Sequence, residues 1–154
     1  MNKPSFALIS LAAAIAMVGV AIHLAAIAFG PDWYAFFDAP PPIVASARQG
    51  TWLAPGSAAV IAILMGLSCA YACSAIGLIR RLPLLRTALA GIAVICLVRA
   101  LILVPLAIHD PVLRTMFNVV AAIVWGIAGI GFAAGFLAVR SARQNKGDDA
   151  HADR

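Results

Sequence analysis

The chain has no glutamate. Its six aspartates avoid the long apolar stretches: Asp32, Asp38 and Asp110 lie between them, and Asp148, Asp149 and Asp153 lie near the end. Charged residues make up only 11% of the 154 positions, against about a quarter in an ordinary globular domain. This composition excludes a typical water-soluble domain. The missing carboxylates also leave the apolar stretches without the acid–base pair that proton-transfer chemistry uses. Cysteine is scarce, with Cys69, Cys73 and Cys96 and no C-x-x-C, so a quinone-linked thiol oxidoreductase is disfavoured. Cys69 and Cys73 share a helical face, and hairpin geometry brings Cys96 level with Cys69. That leaves a disulfide or soft-metal site open, against the simpler reading of small buried hydrophobes. Of three histidines, only His23 falls deep in an apolar stretch; His109 ends one and His151 is in the tail. A haem held between helices would need a second deep histidine, and no metal or other cofactor is expected.

What fills the chain is hydrocarbon, at 64% apolar residues. A helix needs about 20 apolar residues to cross a bilayer core about 30 Å thick. Four stretches qualify, at about 5–29, 57–79, 84–108 and 115–139. The fold class predicted is all-α: a polytopic four-transmembrane-helix bundle over residues 1–140, with a polar, disordered tail at 141–154.

Positive charge sets the expected orientation. Lys3, the turn with Arg80, Arg81 and Arg86, and the tail with Arg140, Arg143, Lys146 and Arg154 fall on one side, leaving only Arg48 and Arg114 for the other. N and C termini are therefore predicted to be cytoplasmic, with a long first outer loop. The net charge of +5 is mostly this orientation signal, so no nucleic-acid partner is expected. The first stretch has a basic start and an A-I-A tripeptide, as a signal peptide would. Its apolar run is long for that role, and it is read as a retained helix.

The turn "RRLPLLR" is short, so the second and third spans should be antiparallel neighbours, as should the third and fourth across "HDPVLR". Counting outward from each turn places Arg99 level with Gly66–Ser68 and with Trp125. Small residues mark the packing faces: Ala62, Gly66, Ala70 and Ser74; Ala122, Gly126, Gly129 and Ala133, with Gly131 and Gly135; and Ala12, Ala16 and Gly19 with His23. In the first loop, Trp33, Tyr34, Phe36 and Phe37 suit the headgroup level. After Pro40–Pro42, residues 43–49 suit a short interfacial helix. Pro55–Gly56 reads as a turn, and Ser57 as the cap of the second span. The loop is expected to lie over the outer mouth of the bundle.

"GPDWYAFFDAPPPIV" after a helix with "AIHL", followed by "YACSAIGLIRRLPLLR", resembles a group of small four-helix bacterial inner-membrane proteins with a WYxFFxAP-type outer-loop motif. They are usually described as uncharacterised. The likeness runs from about His23 to Pro105. It implies a multi-pass inner-membrane address and a four-helix fold, and brings no function with it. Asp38 stands where the motif would lead one to expect glycine.

The residue that poses a chemical question is Arg99, near the middle of the third span. An arginine at that depth costs about 3 kcal/mol on insertion scales. Eleven Leu, Ile and Val residues between Ile92 and Ile108 offset it at about 0.3 to 0.6 kcal/mol each. Asp110 is on the same face but about 16 Å along the axis. Candidate neighbours are Trp125, through its ring, Ser68, as an acceptor, and the Leu101 carbonyl freed by Pro105. Two readings stay open: a stacked, snorkelling structural arginine, or a seat for a lipid phosphate or carboxylate. The second would form an outward-opening pocket of Arg99, His23, Trp125, Asn118 and Ser68. The function expected first is a non-enzymatic accessory, binding or immunity-type protein. It would act through membrane lipids, another membrane protein or self-association. A transporter or enzyme handling an anionic lipid or small anion around Arg99 and His23 is the alternative.

Overall fold

A computed structural model describes residues 3–152, without the side chains of residue 112 and residues 142–152. In chain order the elements are α1 (Lys3–Phe29), α2 (Pro31–Phe36), α3 (Pro41–Gln49), α4 (Leu53–Ala75), α5 (Leu85–Leu101), α6 (Leu103–His109), a 3-10 turn at Pro111–Leu113, and α7 (Met116–Ala152). Four helices are long and apolar enough to cross a membrane: Lys3–Phe29, Leu53–Ala75, Leu85–His109 and Met116–Ser141. In hydrocarbon each unpaired backbone amide would cost several kcal/mol, so a spanning segment of this composition takes the helix, which pairs them internally. The described chain forms two compact units, Ala16–Leu67 and, joined with the chain start, Ser68 onward.

In the first unit, the connection between α1 and α4 has a core of its own. Tyr34 from α2 is buried with Ala26, Ala54 and Ala58, and Trp33, Ala39, Ile43, Val44 and Ala47 pack around it. Pro31 and Pro41 start α2 and α3, where a missing amide hydrogen matters least. Gly50 ends α3 with φ +69°. Asp38 has φ +52°, the left-handed region where glycine is easiest and aspartate tolerated. Backbone geometry therefore explains why a glycine fits that position. Aromatic rings run along one edge: Phe29 stacks on Trp33 at 5.0 Å, and Trp33 meets Phe37 at 5.5 Å.

The expected start of the second span is corrected here. Pro55–Gly56 is no turn, and Ser57 no cap: α4 already begins at Leu53, and the Ser57 hydroxyl donates to the Ala54 carbonyl at 2.9 Å. Proline fits the first turn of a helix because no earlier carbonyl needs its hydrogen. The cap comes from α3, where the buried Ser46 hydroxyl oxygen accepts from the Ala54 amide at 3.0 Å and pairs with Thr51 Oγ1 at 2.6 Å.

The second unit is built on the α5–α7 hairpin. α4 stops at Ala75, four residues short of the expected end, in a glycine C-cap: Gly77 has φ +83°, its amide donates to Ser74 O, and Leu78 donates to Cys73 O. Ser74 then holds the turn, its oxygen accepting from Leu82 N at 3.0 Å and donating to Arg80 O at 3.3 Å. The third span is interrupted at Ile102, three residues before Pro105, whose ring nitrogen cannot bond the Leu101 carbonyl. α7 starts after Thr115, whose hydroxyl oxygen accepts from Asn118 N at 3.1 Å. Its backbone continues to Ala152, where composition alone predicts a disordered tail from 141. Ala142, Arg143, Gln144 and Lys146 are all helix formers, and no proline stops them.

Glycines set the closest approaches. A Cβ on Gly131 would lie 2.5 Å from the Leu8 carbonyl oxygen and 2.7 Å from Ala12 Cβ; one on Gly129 would lie 2.8 Å from Leu97 Cδ2. Gly126 faces Ala100, and a Cβ there would meet Ala100 Cβ at 3.7 Å, ordinary van der Waals contact. Since α7 residues 126 and 129 oppose α5 residues 100 and 97, the two helices are antiparallel, within two residues of the expected register. At Gly91 there is open space.

Gly131→Ala is expected to lower stability by about 1–3 kcal/mol, because the Leu8 backbone cannot swing aside. Gly91→Ala should be neutral or stabilising by up to about 1 kcal/mol. Thermal unfolding of the two variants in one detergent checks this contrast. A second expectation concerns Tyr34, whose buried hydroxyl has no hydrogen-bond partner and whose pKa is pushed up by burial. Tyr34→Phe should gain about 1 kcal/mol. A raised folded-state pKa means stability is full below the ordinary tyrosine value of about 10 and is lost as pH climbs through the folded value. Amide exchange in residues 31–50 should therefore accelerate above that pH more steeply in the parent than in Tyr34→Phe.

Candidate functional site

Arg99 belongs to α5, whose two faces differ sharply. Leu85, Leu89, Ala93 and Cys96 are buried and fall on one side of the helix. Gly91, Ile95 and Val98 fall on the opposite side and are exposed, as are Arg99 and, just beyond the helix end, Ile102. At 100° per residue Gly91, Ile95 and Val98 occupy the arc opposite the buried one, and Arg99, one turn after Cys96, stands at the boundary between the two. Of the four spans, the third is the least covered by the rest of the described chain.

The pairing with Trp125 predicted from hairpin depth is present. The Arg99 guanidinium carbon sits 6.0 Å from the Trp125 ring centroid, at the outer limit of a cation–π contact. A similar pair closes the other end of the hairpin, Arg86 over Phe136 at 6.0 Å. Arg99 makes no hydrogen bond or ion pair with any described residue, Ser68 included. Its five N–H donors thus have a ring face beside them and no acceptor among the described residues.

The other candidates have local bonds. Asn118 is half-buried and donates from Nδ2 to Leu113 O at 3.2 Å, which ties the start of α7 to the turn before it. Ser68 is half-buried on α4. His23 lies in the Ala16–Leu67 unit, with Nδ1 2.8 Å from the Gly19 carbonyl one turn earlier. A carbonyl can only accept, so Nδ1 is the donor in this bond. Cys69, Cys73 and Cys96 are free thiols, with Cys69 and Cys96 buried. No group of three His, Cys, Asp or Glu that could hold a metal ion occurs among the described residues.

Sequence reasoning missed Arg114, which donates from Nε to the Ala107 carbonyl at 2.7 Å and so closes the end of α6. It also missed Gly91 as the open point of the exposed α5 face. An unshared glycine four residues before Ile95 and eight before Arg99 was the available signal. Comparison with protein families, curated proteins and solved structures finds no match to the chain.

Because an exposed cation–π contact is worth only about 0.5–1 kcal/mol, Arg99→Gln and Trp125→Leu should each keep detergent stability within about that margin of the parent. Parallel thermal melts check it. A loss of more than about 2 kcal/mol in Arg99→Gln would make the guanidinium a structural element.

Proposed function

We propose that this is a small, non-enzymatic protein of the bacterial inner membrane. In this reading both termini are cytoplasmic and the Gly30–Thr51 connection faces outward. Its role is that of an accessory, binding or immunity-type protein acting through helix and lipid contacts. The observation that carries the reading is Arg99: a permanent cation exposed on the least covered span, with only an uncharged ring beside it. An isolated arginine inside the hydrocarbon carries a cost, and in this reading a bound lipid or protein meets it.

The aromatic edge of the connection supports an interfacial position for it. Phe36 is 77% exposed and Trp52 85%, a level of exposure expected for such side chains at the headgroup boundary. The competing class, a transporter or enzyme handling an anionic lipid or a small anion, draws on Arg99 with His23. The bond from His23 to its own helix favours a structural histidine, so the binding reading is preferred.

Native mass spectrometry of the protein, extracted with its surrounding membrane, tests the proposal. The parent is expected to carry a discrete bound mass, lipid or protein, that Arg99→Gln lacks. Identical spectra for the two would overturn a binding role for Arg99.

A further inference from the structure

Resting on that binding role, we infer that the exposed face of α5 docks a membrane-spanning helix of a different protein, and that this helix carries a carboxylate at the depth of Arg99. The face consists of Gly91, Ile95 and Val98, with Ile102 just beyond the helix end and Arg99 on its flank, all exposed. Gly91 is the point of closest approach, since nothing lies within 4 Å of where its Cβ would be. Arg99 supplies the specificity, with a planar fork of donors that fits a carboxylate through two parallel hydrogen bonds.

Charge bookkeeping chooses the occupant. The chain has no glutamate, and Asp32, Asp38, Asp110, Asp148, Asp149 and Asp153 all fall outside the four membrane-length helices or beyond the apolar part of the last. A second copy inserted in the same orientation therefore brings another arginine to this depth and no counter-charge. Its Asp110 would stand where this chain's own does, about 16 Å along the axis. A lipid phosphate is at the headgroup level, and Arg99 lies ten residues inside His109, or about 15 Å of helix, further than an extended arginine side chain reaches. A carboxylate on a partner helix can be placed at any depth. Docked there, it pairs two charges that would otherwise stand isolated in hydrocarbon, which gives the contact its selectivity.

The test uses the full-length protein reconstituted in phosphatidylcholine vesicles. Its probe is a synthetic leucine-rich membrane-spanning peptide with one aspartate at mid-span, followed by energy transfer between labels. All-leucine and single-lysine versions serve as controls. The aspartate peptide is expected to associate about tenfold more tightly than the all-leucine one, and the lysine peptide no better than it. The preference should disappear in Arg99→Gln, persist in part in Arg99→Lys, and weaken in Gly91→Leu, which blocks approach and keeps the charge. Melting curves for each variant show that the loss is not one of folding, and the Lys variant gives a readout with the charge intact.

Equal association of the aspartate and leucine peptides, or a preference that survives Arg99→Gln, overturns the inference. So does abolition of the preference when net-anionic phosphatidylglycerol replaces zwitterionic phosphatidylcholine, which would make an anionic lipid headgroup the occupant. Should the peptide preference fail while the Arg99-dependent bound mass persists, only the carboxylate partner falls. Should both fail, the binding role falls with it.

Discussion

Where Gly131 of α7 faces the carbonyl oxygen of Leu8, two membrane-length helices come as close as backbones allow. Lipid tails are as apolar as leucine, so burying leucine between such helices gains nothing of the kind that drives folding in water. What remains is dispersion over short distances, and short distances need small residues. The register of α5 on α7 follows from the same constraint, with Gly129 against Leu97 and Gly126 against Ala100. That register then places Arg99 beside Trp125 and Arg86 beside Phe136.

Polar groups in this chain are held mostly by their own neighbourhood. Asn118, His23, Ser57 and Arg114 bond to carbonyls three to seven residues away, which settles each backbone acceptor without drawing on another helix. Two serines reach further: the Ser46 hydroxyl accepts from the Ala54 amide eight residues on and so caps α4, and Ser74 accepts from Leu82 N across the turn that follows α4. Pro105 works in the opposite direction by removing an amide donor and breaking the third span at Ile102. Arg99 has no such local settlement among the described residues, and this sets it apart from these side chains.

Much of this was legible in the residues. Four apolar stretches became four membrane-length helices, the depth of Arg99 relative to Trp125 came from counting along a short hairpin, and Pro40–Pro42 announced the helix that follows. The errors lie at helix ends. Pro55–Gly56 looks like a turn because both residues are common in turns, yet a proline in the first helical turn loses nothing. Gly77 was not recognised as a C-cap because the apolar residues Leu78 and Ile79 continue the hydrophobic run beyond it, and hydropathy does not register a left-handed φ. The Ser46 cap joins residues in different elements, which no local pattern reveals.

Composition alone determined that the chain is helical and membrane-length, because in hydrocarbon an apolar run of that size has no other way to pair its amides. It also determined that Arg99 has no acidic partner at its own depth, since that follows from where six aspartates stand. Tertiary structure alone decided which side of α5 is covered. The hydrophobic pattern is nearly uniform around that helix, so lipid-facing and protein-facing sides read alike in sequence. Backbone proximity at the glycines separates them, leaving Gly91, Ile95 and Val98 on the open side and Arg99 exposed at its edge, beside Trp125.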